Sequence, residues 1–309
     1  MAAYVIRRVL SIVPILLGVS IITFFSIHLT PGDPVDQILQ NNANKEAADR
    51  LREHLGLNDP LPVQYMHWFG SAIQGDFGRS LLTNAPVSQE ILDRFPSTLQ
   101  LAIAGMLISV LLGIPLGMMA AISKRAWLDS SFMVLALGGL SIPSFWLGML
   151  LSLFFGIKLG WFPILGGDGW KALVLPAFTL GIVNVAIIAR LTRSSMLEVI
   201  RQEYIQTARA KGLSERAVVI RHAFRNAMIP ILTVIGIQFG NLLAGTVIVE
   251  SVFARAGLGT LAIRAIQARD FPLIQGIVLL YAVLYVGTTL IIDLLYGTLD
   301  PRIRLSGSR

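Results

Sequence analysis

The sequence predicts an all-α, polytopic membrane protein, and three observations carry that prediction. The 309 residues are 54% hydrophobic and only 14% charged, with a mean hydropathy of +0.70. Ordinary globular chains carry about 25% charge, so a water-exposed fold is excluded. Six stretches approach or exceed the ~20 apolar residues that cross a bilayer as a helix. The basic residues also cluster in alternate connections between those stretches, as the positive-inside rule requires of a multi-pass protein.

The first stretch is Val9 to Leu29. Arg7 and Arg8 precede it, as in a signal peptide, but the run is long for that purpose. Thr30-Pro31-Gly32-Asp33-Pro34 follows, with no small-x-small cleavage pattern, so a retained helix is expected. The others lie near Ser97–Ile122, Phe132–Gly156, Ala172–Ala189, Ala227–Val252 and Leu273–Tyr296. Pro176 and Gly181 interrupt the fourth, which is the shortest.

With the N-terminus inside, the inner segments hold 15 of the 25 Lys and Arg but 6 of the 18 acids. Both termini are therefore expected in the cytoplasm. The formal charge of +7 thus reads as orientation, and a nucleic-acid partner is not expected. With no cysteine, disulfides, thiolate metal sites and thiol nucleophiles are excluded.

Four regions follow: an N-terminus with the first span (1–29), an extracytoplasmic helical cap (30–96), a five-helix core (97–297) and a cytoplasmic tail (298–309). In the cap, helices are expected at Lys45–Leu55, Val63–Ile73 and Val87–Phe95, punctuated by glycine and proline. Inside the core, the cytoplasmic loop 190–226 is far longer than a connection needs. It reads as two helices broken at Gly212. The first, around Ser195–Lys211, places Leu197, Ile200, Tyr204 and Ala208 at helical spacing. Gly212 suits the left-handed residue that ends a helix, and Ser214 is a natural N-cap for the next. That second helix carries a stripe of Leu213, Ala217, Ile220 and Phe224, with Glu215, Arg216, Arg221 and Arg225 elsewhere. Such a pair either lies on anionic headgroups or docks a cytoplasmic partner.

No residues are assigned to catalysis. Nothing matches the phosphate-binding loop pattern G-x-x-x-x-G-K-[ST]. His28, His54, His67 and His222 are scattered, and no metal site is expected. Glu250 and Asp293 fall near opposite ends of the last two spans, where interfacial solvation competes with a gating or helix-pairing role. No acid or basic relay sits mid-bilayer, which places the energy source outside this chain. Gly113-x-x-x-Gly117 and Gly236-x-x-x-Gly240 permit close helix approach, and Pro115, Pro143 and Pro176 are expected to bend helices.

The run Glu203-Tyr204-Ile205-Gln206-Thr207-Ala208-Arg209-Ala210-Lys211-Gly212-Leu213-Ser214, followed by His222 to Pro230, closely resembles the EAA loop of ABC-importer permeases. The form is that of the dipeptide, oligopeptide and nickel subfamily. Pro31-Gly32-Asp33-Pro34, Leu55-Gly56-Leu57, Gly75-Asp76-Phe77-Gly78, Asp293-Leu294-Leu295-Tyr296 and Asp300-Pro301-Arg302-Ile303-Arg304 match the first-permease pattern. Two departures stand out: Gln206, Thr207 and Ala208 occupy the nominal Glu-Ala-Ala positions, and Ala256 precedes Gly257-Leu258-Gly259 where proline is usual.

The resemblance implies a type I importer permease fold in a bacterial cytoplasmic (inner) membrane. Its implied partners are a second homologous permease, two ABC ATPase subunits, an extracytoplasmic substrate-binding protein and membrane lipid. No cofactor binds this chain; ATP and Mg are used by the ATPases. The coupling site would comprise Glu203, Thr207, Ala208, Ala210, Lys211, Gly212, Leu213, Ser214, Glu215, Arg216, Ala217, Ile220 and Arg221. Pathway or gate residues would be Glu250, Phe253, Gly257 and Gly259. Dipeptides and oligopeptides are the expected cargo, with glutathione, nickel or its chelates, and glycosides as alternatives. The rival classes are a self-contained carrier or channel and a membrane-anchored interaction protein.

Overall fold

The computed structural model describes residues 2–28, 58–123, 125–138, 142–167 and 169–299. The expected Lys45–Leu55 helix, the Pro31–Pro34 and Leu55–Leu57 motifs, the Asp300–Arg304 motif and the Asp293 side chain lie outside the described residues.

Ten helices order the described chain. They are α1 (Ala2–His28), α2 (Leu61–Ile73), α3 (Val87–Ile122), α4 (Ala126–Gly138), α5 (Ser144–Leu151), α6 (Trp170–Ile200), α7 (Glu203–Ala210), α8 (Glu215–Val252), α9 (Leu258–Gln267) and α10 (Phe271–Leu299). A π-helical turn, Ser152–Lys158, extends α5, and another, Val218–Phe224, lies inside α8. Four are long and apolar enough to cross a membrane: α3, α6, α8 and α10 over Phe271–Ile292. The expected first and third spans correspond to shorter apolar pieces: Leu10–Ser26, Trp127–Ala136 and Ser144–Lys158.

Three boundaries correct the sequence reading. The third span, expected as one helix over Phe132–Gly156, is broken, because Pro143 is the residue at which α5 starts rather than a bend within a helix. Proline has no N–H to donate and holds its predecessor extended, so the helix ends before it. The Val87–Phe95 helix is continuous with the second span, since Pro96 sits inside α3. The cytoplasmic pair is also divided differently. Ser195, Leu197 and Ile200 belong to α6, and the helix after Ser214 runs without a break into the fifth span as α8.

α6 is the central element. Its 31 residues give a length of about 46 Å at 1.5 Å per residue. Two-thirds of its apolar window is buried, against 22–39% for the other three long helices. Between helices in lipid there is little hydrophobic drive, and small residues that allow close backbone approach do most of the work. That is what joins α6 to α3. A Cβ on Gly113 would lie 2.9 Å from Ile188, one on Gly181 2.5 Å from the Gly105 carbonyl oxygen, and one on Gly117 would overlap the Ala189 carbonyl. Ser109 closes the seam by donating to the Gly105 and Gly181 carbonyls at 2.8 and 2.7 Å. The second glycine pair, Gly236 and Gly240, receives Ile292 and Tyr285 of α10. Leu101, Leu175, Leu180, Ile188, Leu242 and Phe253 form the core around these contacts.

α1 packs on α10 and α2. Phe24 stands edge-on to Tyr65 with ring centres 5.5 Å apart, and Ser20 and Tyr65 share a hydrogen bond of 2.8 Å. Residues 163–167 and 169–170 meet residues 253–256 at one end of the bundle, called the outer end after the orientation expected from the sequence. The α6–α8 connection lies at the inner end.

The seam makes a direct prediction. Gly117→Val should destabilise the chain by about 2–3 kcal/mol through overpacking, whereas Gly18→Val, with open space around it, should change stability little. Thermal midpoints of the two purified variants in detergent check the contrast.

Candidate functional site

Two places gather the residues that the sequence singles out. At the inner end, α6 stops at Ile200, Gln202 is extended (ψ 147°), and α7 begins at Glu203. α7 then ends in a Schellman turn. The Leu213 N–H donates to the Ala208 carbonyl at 3.4 Å and the Gly212 N–H to the Arg209 carbonyl at 2.9 Å. Gly212 sits at φ +78°, the left-handed conformation that glycine adopts at least cost. Ser214 caps α8 by accepting from the Ala217 N–H at 3.4 Å. Arg209 and Glu215 close the turn through two contacts of 2.8 and 3.4 Å. Glu215 therefore pairs within its own chain, and on α8 Arg216, Arg221 and Arg225 are exposed.

This elbow has two faces. Ile205, Ala208, Val218, Ala223 and Ala227 are buried with Met196 of α6 and Ala121 of α3 in one cluster. The opposite face exposes Tyr204 (44%), Leu213 (42%) and Ile220 (48%), with Ala210 exposed and Ala217 half-buried. Of the expected stripe, Leu213 and Ile220 are exposed and Ala217 half-buried, while Phe224 packs against the buried cluster that Val218 and Ala223 help to fill. Glu203, Thr207 and Lys211 stand exposed along α7, and the Thr207 hydroxyl donates to the Glu203 carbonyl. Beside the elbow, Arg193 of α6 clasps Asp129 of α4 in a bidentate pair at 2.5 and 2.6 Å. No sequence signal marks this pair, because its members lie 64 residues apart.

At the outer end, Glu250 is fully buried and hydrogen-bonded rather than solvated at an interface. Its carboxylate accepts from the Thr98 hydroxyl at 2.6 Å, the Gly259 N–H at 2.8 Å and the Thr260 N–H at 3.2 Å. The last acid of α8 thus caps the first turn of α9, where otherwise unsatisfied N–H groups favour an anion. Gly257 and Gly259 make room: a Cβ on Gly257 would overlap the carboxyl group, and one on Gly259 would lie 2.5 Å from Val247 Cα. Phe253, 3% exposed, fills the core beneath and packs against Gly148.

Asp270, which sequence reasoning missed, fastens the far end of α9 in the same way. It is buried, accepts from Ser80 at 2.5 Å, and caps α10 through the Leu273 N–H at 3.3 Å. An Asp directly before Phe271-Pro272 is an N-cap pattern, so its local half was readable; the contact with Ser80 was not. Arg255, in the α8–α9 connection, was also overlooked. Burial lowers its affinity for a proton, and the Glu250 carboxylate opposes that effect.

Among the described residues, no group of three or more His, Asp or Glu side chains is arranged to hold a metal. The described helices form a packed core with a helix junction at one end and an apolar elbow at the other. Comparisons with known proteins define the class further. Residues 113–305 match the family described as binding-protein-dependent transport system inner membrane component, and residues 1–102 match its N-terminal companion. The chain belongs to this family of ABC-importer permeases and is a non-catalytic, multi-pass inner-membrane component.

Its relatives include the glutathione transport system permease proteins GsiC of Salmonella typhimurium (44% identical) and Escherichia coli K12 (43%). Each alignment spans 304 residues, 98% of this chain and 99% of the relative. Among solved structures, the inward-facing MetNI methionine ABC transporter superposes with a TM-score of 0.59 at 19% identity, covering 69% of this chain and 97% of that one. An amino acid ABC transporter with histidines gives 0.51 at 21%, covering 70% and 94%. The fold is that of type I ABC importer permeases.

The outer junction makes its own prediction. Glu250→Ala strands the Thr98 hydroxyl and two N–H groups, at a cost of about 3 kcal/mol or more. Limited proteolysis at Arg255 should become much faster in this variant, while Glu198→Ala, at an exposed acid of α6, should leave the rate unchanged.

Proposed function

We propose that this chain is one permease subunit of an ATP-driven, binding-protein-dependent importer whose cargo is a short peptide, with glutathione as the first candidate. Near-full-length similarity to glutathione permeases supports the choice of cargo. Other peptides, nickel chelates and glycosides remain in the cargo class of the wider subfamily. The observation that carries the mechanism is the two-faced elbow, buried against α3 and α6 and apolar on its far side.

In this reading a second, homologous permease completes the pathway and two ATPase subunits dock at the inner end, with both termini on that side. ATP and Mg act on the ATPases; a binding protein delivers cargo at the outer end to the cap of residues 30–96. Tyr204, Leu213, Ala217 and Ile220 enter an apolar socket, and Arg216 and Arg221 pair at its rim. Because α7 and the start of α8 are locked to α6 by the turn at Gly212 and by Ile205, Ala208 and Val218, a push on the elbow moves α6 and α8 together. At the other end of α8, Glu250, Phe253, Gly257 and Gly259 link it to α9. A displacement of α8 thereby reaches the outer gate.

The test is uptake by the reconstituted complex. Gly212→Pro, which cannot adopt positive φ, and Ala217→Arg, which obstructs the socket, should each lower uptake by about tenfold or more. ATP hydrolysis and cargo affinity of the binding protein should persist. Wild-type uptake in both variants would defeat the coupling role, and transport by the chain alone in proteoliposomes would establish a self-contained carrier.

A further inference from the structure

At the outer end, between α3, the start of α6 and the α8–α9 connection, lies a cavity of about 670 Å³. That is within the roughly 300–1,000 Å³ of small-molecule sites. Its wall carries Asp93 and Gln100 from α3, Trp170 and Pro176 from α6, and Arg255. Arg255 is the unusual member. Its Nη2 reaches the Ser97 carbonyl and the Gln100 amide oxygen only at 3.5 and 3.4 Å, the outer limit of hydrogen bonding. Its Nε–H is buried without a partner. Among the described residues no carboxylate forms an ion pair with it.

A guanidinium presents Nε–H and an Nη–H as a planar fork, which a carboxylate satisfies with two parallel hydrogen bonds. Leaving a buried donor unpaired is costly, and with Nε–H unpartnered and Nη2 held only at 3.4 and 3.5 Å this guanidinium is short of an acceptor that an anion in the cavity would supply. Asp93, exposed on the same wall, offers the opposite charge. We propose that this cavity receives peptide cargo on its way into the pathway, with Arg255 binding the free carboxylate and Asp93 facing the ammonium group. The inference rests on the proposed peptide import and adds a cargo-contact site to it.

The test uses the complete transporter in nanodiscs, without its binding protein, and saturation-transfer NMR of two ligand pairs. One pair is glycyl-leucine and glycyl-leucinamide; the other is glutathione and its glycyl ethyl ester. On the wild-type complex the free acid of the pair that is transported should bind about tenfold more strongly than its neutral counterpart, the worth of one charge-assisted contact. Arg255→Gln should bring the ratio close to one. Arg255→Lys keeps a positive charge near Glu250 but loses the fork, so its ratio should fall at least about threefold. That variant decides the matter if Arg255→Gln fails to assemble. Equal binding of acid and neutral forms to the wild type, no binding of any probe, or a wild-type ratio in the variants overturns the proposal. Uptake of the four probes by cells is measured in parallel. Peptide uptake without an acid preference at the complex removes only the Arg255 site, whereas absence of uptake of every probe removes the transport reading itself.

Discussion

The close contact between α3 and α6 is the constraint on which the rest of this structure depends. In lipid, apolar side chains gain little by leaving one apolar environment for another, so helices associate where their backbones fit closely. Gly105, Gly113, Gly117 and Gly181 provide that fit, and the Ser109 hydroxyl bridges it. Because α6 is buried through most of its length, its two ends are fixed relative to the bundle. The inner end fixes where the elbow emerges. The outer end forms one wall of the cavity that Arg255 lines.

The two ends of the bundle are built by different physics. The elbow is held by local geometry: a Schellman turn at Gly212, the Ser214 cap and one exposed ion pair between Arg209 and Glu215. Such a pair adds little energy, and the elbow's orientation comes chiefly from burying Ile205, Ala208 and Val218. The outer junction is held instead by two buried carboxylates, Glu250 and Asp270, each capping a helix and each accepting a hydroxyl from a distant segment. Losing one partner there leaves donors with no alternative, so this end is the less tolerant of change.

How much was legible in the sequence follows from the range of each interaction. Apolar length located the long helices, because crossing a bilayer imposes a minimum number of residues. Gly212 and Ser214 were readable because turns and caps depend on neighbouring residues, and both glycine pairs were readable as close-approach surfaces, though not their partners. The break at Pro143 was misread as a bend within a longer helix, since hydropathy alone does not register a missing N–H. Glu250 was visible as an acid in a span, but its partner Thr98 lies 152 residues away. Arg193 with Asp129, Asp270 with Ser80, and the unpartnered Nε of Arg255 are tertiary facts with no local pattern. On the elbow, periodicity identified the apolar stripe whose Leu213 and Ile220 stand exposed, but not the second face of Val218 and Ala223 that packs into the bundle.

The claim at the centre of this account is that the exposed face of the elbow is a protein-docking surface and not a lipid-facing one. The absence of cysteine allows a single thiol to report on it. Ile220→Cys is labelled from the inner side with a membrane-impermeant maleimide, with and without the ATPase subunits, and modification is read by mass spectrometry of this chain. Rapid labelling of the permease pair alone, lost on adding the ATPases, is the predicted result. Labelling that is unchanged by the ATPases, or that occurs only with a lipid-soluble reagent, would contradict it.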